Sequence, residues 1–213
     1  MSKPVIILAA GGHSRVLINI LQLLKAEIIG ITEMDERHSS QLIAGIPVIG
    51  ADQLIFKYPP NEIELVNGLG RANSSNPRKI LYEKFKKAGY SFARIIHPSA
   101  IIAGDVELGE GVQIMAGSII QPGSCIGNNT IINTGVVVDH DVWTGDHVHI
   151  APGATISGGV RIGCGVLIGT GATIIQGISI GDHSLIAAGA VVTCNIEAGI
   201  TVMGIPARSY ERR

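Results

Sequence analysis

The chain has 213 residues; 46% are hydrophobic, only 4% aromatic, and the formal net charge at pH 7 is −1. So balanced a charge argues against nucleic acid or an anionic membrane surface as partner, and no apolar run reaches the roughly 20 residues of a membrane span. Cys125, Cys164 and Cys194 are odd in number and lack C-x-x-C spacing, so neither a disulfide framework nor a thiolate zinc site is indicated. The opening MSKPVIILAAGGHSR has no signal-peptide pattern, so a cytoplasmic location is expected.

In chain order, Pro4 to Ala10 is an apolar run ending in Gly11-Gly12-His13. Ser14 is placed to cap a helix carrying Val16, Leu17, Ile20, Leu21 and Leu24 at helical spacing. A second strand, Glu27 to Thr32, ends in Glu33 and Asp35. Residues 46–50 form a short extended piece before a helical turn, and Glu62 to Val66 is a third strand closing on Asn67-Gly68-Leu69-Gly70. Asn76-Pro77 starts a helix running to about Ala88, with Gly89 just beyond its end. Strand and helix alternate, so residues 1–92 read as a small parallel α/β domain. Such sheets bind ligands beyond the carboxyl ends of their strands, where backbone N–H groups approach phosphates. Here those ends are Gly11-Gly12-His13, Glu33 with Asp35, and Gly68-Leu69-Gly70. An acidic residue twenty positions after His13 suits a ribose contact; on spacing alone, a tight strand-to-helix turn explains the glycines equally well.

From Ile96 to Glu197 an aliphatic residue returns every six positions, and only Thr144 breaks the series. The residue four further on is small or β-branched throughout. Gly109, Gly127, Gly145, Gly163 and Gly181 add an eighteen-residue period. Neither a helix nor a hairpin has such a period; three short strands per eighteen-residue turn make a triangular parallel coil, so residues 93–213 are a hexapeptide β-helix. With so few aromatics, the core of the whole chain is expected to be aliphatic. The 28 glycines suit corners that need positive φ.

The phase of the repeat places His97, His140, His147, His149 and His183 outside the coil interior. For His97, His147 and His183 a solvated corner position is sufficient explanation. His140 differs, because it lies in Asp139-His140-Asp141, and a carboxylate bonded to an imidazole nitrogen fixes its tautomer and strengthens it as a base. Pro122 and Gly158, one turn away on either side, leave open space beside it. Strand alternation turns both aspartates away from His140 unless the corner swings one back. His149 follows by nine residues, half a turn, so the two histidines meet only if coils associate side by side. Hexapeptide-coil carbonic anhydrases bind zinc with three histidines at such a junction, but the acidic neighbours and the lack of a third ligand favour a base over a metal site.

Gly11-Gly12-His13, Ile96-His97-Pro98-Ser99-Ala100, Asn133-Thr134-Gly135 before Asp139-His140-Asp141, and Gly204-Ile205-Pro206-Ala207-Arg208 together resemble the sugar acetyltransferases of the PglD/NeuD type. The resemblance spans about residues 1–208. It implies a Rossmann-like domain that binds a nucleotide-linked amino sugar, followed by a left-handed β-helix that binds acetyl-CoA and assembles as a homotrimer, with no metal. By the same resemblance, His140 is the base and Asp141 its orienting acid. His149, Gly158, Thr170, Ala188 and Pro206 fall at the acetyl-CoA site. Gly11, Gly12, His13, Glu33, Asp35 and Gly70 fall at the nucleotide-sugar site. The implied reaction is N-acetylation of a 4-amino-4,6-dideoxy sugar, with UDP placed ahead of GDP as carrier. The chain departs from the family in its Thr32-Glu33-Met34-Asp35 run and in Arg71 after Gly70. The alternatives are a sialic acid O-acetyltransferase, a zinc hydratase, a purely structural trimer, or a nucleotide-sensing first domain.

Overall fold

In the computed structural model, which describes residues 3–34, 41–70 and 76–210, the N-terminal apolar run becomes strand β1 (Val5–Leu8), buried along its length. The chain continues through α1 (Gly12–Leu23), β2 (Ile28–Thr32), β3 (Leu42–Ile43), β4 (Ile46–Gly50), a 3-10 turn (Asp52–Lys57), β5 (Glu64–Asn67) and α2 (Pro77–Lys87). The sheet order is β3-β4-β2-β1-β5. β1 pairs in parallel with β2 and β5, and β2 with β4. The sheet is not wholly parallel, as the sequence suggested. β3 and β4 form an antiparallel hairpin around Ala44 and Gly45, both at positive φ, the backbone that a two-residue hairpin turn needs.

The α1 cap differs from expectation. Gly11 is the N-cap and no side chain caps the helix. Ser14 lies instead on the buried stripe Ser14, Leu17, Ile18, Leu21, and its hydroxyl reaches the carbonyl oxygens of Ala9 and Gly68. The buried stripe therefore runs through Ile18, while Val16 and Leu24 face solvent. α2 follows the sequence closely: the Asn76 side chain accepts the Lys79 N–H at 3.1 Å, Pro77 opens the helix, and Gly89 takes φ +88° beyond its end. The core of this unit combines Ile6, Leu8, Ile63 and Leu65 with Tyr82, Phe85, Tyr90 and Phe92. The few aromatics are thus gathered here, and the expectation of an aliphatic core holds only for the coil.

The chain divides after Pro98, into Met1–Pro98 and Ser99–Arg213. The second unit is a parallel coil of two-residue strands in three sheets. One sheet carries Ile101, Ile119, Val137, Thr155, Thr173 and Val191 on its outer side; a second carries Glu107, Cys125, Trp143, Arg161 and Ser179. The third carries Gln113, Ile131, His149, Leu167 and Leu185, and closes with Thr201–Met203 and the antiparallel Arg208–Ser209. Partners such as Ile119 and Val137, Cys125 and Trp143, or Ile131 and His149 are eighteen residues apart. Both inward series are buried, from Ile114 to Val192 and from Val112 to Ala190. Thr144, the exception to the hexad, is also inside, where its hydroxyl accepts the Gly127 N–H at 3.0 Å.

The glycines serve two separate needs. Gly117, Gly135, Gly153, Gly171 and Gly189 adopt positive φ at corners, as expected. The eighteen-residue series is different: these glycines are absent from the positive-φ set, and a Cβ at Gly127 or Gly145 would run into the backbone of the next turn. At those positions glycine supplies room rather than backbone freedom.

Candidate active site

His140 and Asp141 occupy one corner of the coil, between the strands Val137–Val138 and Trp143–Thr144. Asp141 sits at φ +58°, a left-handed conformation in a corner position that Gly159 and Gly177 fill in the two following turns. Aspartate tolerates this backbone better than most residues. The swing brings its Oδ2 to 2.8 Å from His140 Nδ1. Because a carboxylate only accepts, the imidazole donates through Nδ1, and Nε2 presents its lone pair outward. Asp139 plays a separate part, since its Oδ1 accepts the backbone N–H of His140 at 2.8 Å. The bond to Asp141, then the charge of Asp139, raise the His140 pKa above the usual 6.5; desolvation opposes them, and the Asp141 charge adds the smallest part of the rise.

Two glycines make the space for this pair. A Cβ at Gly158 would stand 2.5 Å from His140 Nε2 and 2.6 Å from Cε1, so the ring lies across the bare backbone of the next turn. A Cβ at Gly123, one turn before, would collide with Asp141 Oδ1. The family resemblance assigns Gly158 to the cofactor, whereas its observed contact is with the base. Gly123 escapes the sequence reading, although its place eighteen residues before Asp141 is the available signal. The side chains of His140 and Asp141 are 52% and 70% exposed, so one coil leaves the pair open on its outer side.

His149 is outside the coil interior but not solvated; the residue is only 8% exposed. Its Nε2 lies 3.2 Å from the Asn133 amide nitrogen, while Asn133 Oδ1 accepts the Thr134 N–H at 2.8 Å. Asn133 thus fixes both the turn and the ring. His147 is also no free corner residue, being half-buried with Nδ1 3.0 Å from Asn129 Nδ2. Thr170 and Ala188 are exposed and stack one turn apart on another corner, where the Gly189 N–H donates to the Thr170 carbonyl at 2.8 Å. Their own N–H groups have no acceptor among the described residues. Pro206 is exposed near the end of the chain. Within one chain, then, the base and the Thr170–Ala188 corner are not brought together. Among the described residues no group of three or more His, Cys, Asp or Glu is placed to hold a metal ion.

In the first unit the strand ends line one edge, as expected. Glu33 Oε2 accepts the Ala10 N–H at 2.8 Å, joining the ends of β1 and β2. Gly11 and Gly12 are open, with nothing within 4 Å of where a Cβ would stand, and Gly70 lies beside His13. Asp35 lies outside the described residues. A cavity of about 300 Å³ opens at this edge; Glu33, Leu69, Pro77, Ile80 and Lys84 are among its lining residues. Two supports of this edge carry no signal in the sequence. Arg78, buried in α2, donates through Nη1 to the carbonyls of Asn67 and Leu69 at 2.7 and 2.8 Å. Burial lowers its pKa to about 9, so it stays charged at neutral pH. Asp52, after β4, accepts the Thr32 hydroxyl at 2.7 Å and also faces the cavity.

An α/β unit with a cavity at its strand ends, followed by a hexapeptide coil bearing a histidine–carboxylate pair, defines a class of acyltransferases with an added ligand-binding domain. Comparisons with known proteins agree with that class. Residues 4–85 match the PglD N-terminal domain, and residues 105–140 and 159–194 match the bacterial transferase hexapeptide repeats. A perosamine N-acetyltransferase from Caulobacter crescentus, solved as a point mutant with CoA and GDP-perosamine, is 33% identical over 98% of this chain and 97% of its own, with a TM-score of 0.89. The acetyltransferase domain of PglB from Neisseria gonorrhoeae, solved with acetyl coenzyme A, is 33% identical over 99% and 100%, with a TM-score of 0.90. WeeI from Acinetobacter baumannii is 28% identical over 98% and 100%, with a TM-score of 0.81. No curated protein sequence matches the chain. The chain belongs to the PglD-type sugar acetyltransferases, and its coil is the left-handed β-helix of hexapeptide-repeat transferases.

Proposed function

We propose that the protein transfers the acetyl group of acetyl-CoA to the 4-amino group of a nucleotide-linked 4-amino-4,6-dideoxy sugar, with His140 as general base. The observation that carries the reading is the Asp141–His140 bond, which commits Nδ1 to the carboxylate and leaves Nε2 to accept a proton. The sugar amine attacks the thioester carbonyl, a C–N bond forms, and Nε2 takes the proton that the nitrogen must lose. The resulting oxyanion needs a preformed donor, and a backbone N–H at a coil corner is suited to that role. Collapse breaks the C–S bond, and the protonated imidazole returns its proton to the departing thiolate, so the base is regenerated.

The exposure of the pair and its distance around the coil from Thr170 and Ala188 support a homotrimer as the active unit. A neighbouring coil then supplies the opposite wall, with His149 and the free N–H groups of Thr170 and Ala188 toward acetyl-CoA. The first unit holds the nucleotide diphosphate, with Gly11, Gly12, His13 and Gly70 near the phosphates and Glu33 toward the ribose. No helix among the described residues is long and apolar enough to cross a membrane. Three free cysteines and the supply of acetyl-CoA support a cytoplasmic location.

The test is thiol release from acetyl-CoA in the presence of UDP- and GDP-linked 4-amino-4,6-dideoxy sugars. His140→Ala is expected to lose about 10²–10⁴-fold in kcat with the oligomer intact. An unchanged kcat would remove His140 from the mechanism.

A further inference from the structure

Two charged side chains of the cavity in the first unit, Lys84 and Asp52, have no part yet in holding the nucleotide, and only Asp52 is buried. Asp52 is only 5% exposed, yet it carries a carboxylate. Its place follows from topology: β4 pairs with β2 through Thr32 and Gly50, so the residues after Gly50 lie beside Thr32 and Glu33 on the sheet edge. The Thr32 hydroxyl donates its only hydrogen to Asp52 Oδ1, at 2.7 Å. Oδ2 receives no hydrogen bond from any described residue. A carboxylate whose one oxygen accepts a single hydroxyl keeps acceptor capacity on the other, and that capacity is available to a ligand. Asp52 lines the cavity, so a ligand there is in place to supply the missing donors.

The walls limit what that ligand is. Met34, Leu69, Ile80 and Leu81 present apolar surface suited to a flat ring, while Glu33 stands at the end of β2, the usual place for a ribose contact. A volume of about 300 Å³ fits a base better than a whole nucleotide-sugar. Among the common bases only guanine offers two adjacent donors, N1–H and the 2-amino group, spaced to meet a carboxylate. Uracil and thymine offer one N–H between two carbonyl oxygens, which would face the second carboxylate oxygen lone pair to lone pair. Cytosine and adenine set an acceptor nitrogen beside their amino group, with the same conflict.

We propose that Asp52 reads the base of the nucleotide-sugar and selects a guanosine diphosphate carrier over a uridine one. The inference rests on the nucleotide-sugar reading above and reverses the uridine preference drawn from the sequence. Thr32 acts as the positioning residue that holds the carboxylate.

Calorimetric titration of the full chain with GDP, UDP and inosine diphosphate separates the outcomes. GDP is expected to bind about 10- to 100-fold tighter than UDP, and inosine diphosphate, which lacks only the 2-amino group, about tenfold weaker than GDP. Asp52→Asn is expected to weaken GDP by about tenfold or more and to leave UDP within about threefold. Equal or tighter binding of UDP, inosine diphosphate matching GDP, or a folded Asp52→Asn protein with unchanged GDP affinity would each overturn the proposal and leave the nucleotide-sugar reading standing. If none of the three nucleotides binds, the nucleotide-sugar reading itself falls, and this proposal with it. The inosine diphosphate comparison uses the unmodified protein, so a misfolded variant does not stall the test.

Discussion

Replacing Gly158 by alanine tests the position of the imidazole with one methyl group. Gly158 is not at positive φ, so alanine fits its backbone without strain. The added Cβ falls 2.5 Å from His140 Nε2, 2.6 Å from Cε1 and 3.0 Å from Cδ2, whereas ordinary contact begins at 3.4 Å. The ring must therefore retreat by about 1 Å, and a displacement of that size at a reacting group costs about 10²-fold in rate. Folding should barely register the change. The His140 side chain is half exposed and turns outward freely, so stability should stay within about 0.5 kcal/mol. Gly159→Ala is the control. At φ +66° with nothing within 4 Å of its Cβ, it leaves the ring alone and strains the backbone by about 1–2 kcal/mol. Steady-state thiol release and thermal unfolding on both variants separate the two effects. An unaltered kcat in Gly158→Ala would mean that the imidazole does not lie over Gly158 during turnover, and the catalytic geometry drawn from that contact would fail.

Two further outcomes follow from the same geometry. The base must be neutral to accept a proton, so the raised pKa of His140 places the acid limb of kcat/KM above pH 6.5. Asp141→Asn removes the largest cause of that rise and should move the limb to lower pH with a reduced kcat; an unmoved limb would show that another group titrates. Because the folded pKa is the higher one, the pair adds stability below about pH 6.5 that fades as pH rises through the folded value, an effect kept small by exposure. Ser14→Ala leaves the carbonyls of Ala9 and Gly68 without their shared donor. It should cost about 1–3 kcal/mol in urea unfolding and raise KM for the nucleotide-sugar, since both strand-end loops slacken.

Much of this architecture is legible because repetition carries it. A six-residue period over many turns cannot arise from another fold, and it places every interior residue of the coil, including the buried Thr144. The Asp139-His140-Asp141 run identifies the corner but not the geometry. Strand alternation turns both aspartates away, and only the left-handed backbone at Asp141 decides which one returns. Where the pattern is a single helix or a short strand, less can be read. Ser14 has the chemistry of a cap, yet helical phase sets it one turn above Leu17 and Ile18, inside the unit. Asp52 gives no local signal, because it becomes notable only when β4 pairs beside β2 and its carboxylate reaches the cavity.

The eighteen-residue pairing also makes length itself a geometric variable. Removing eighteen residues from the turns before His140 would take out one rung and bring His140 one strand spacing, roughly 4.8 Å, nearer the start of the coil, still on its own edge. Removing six residues would keep every aliphatic position in register with the interior and yet rotate all that follows by a third of a turn. Only the first change keeps the glycines of the eighteen-residue series stacked on one another. Chemistry would accept only the first, so the coil can lengthen or shorten in whole turns while the edge that bears the histidine stays fixed.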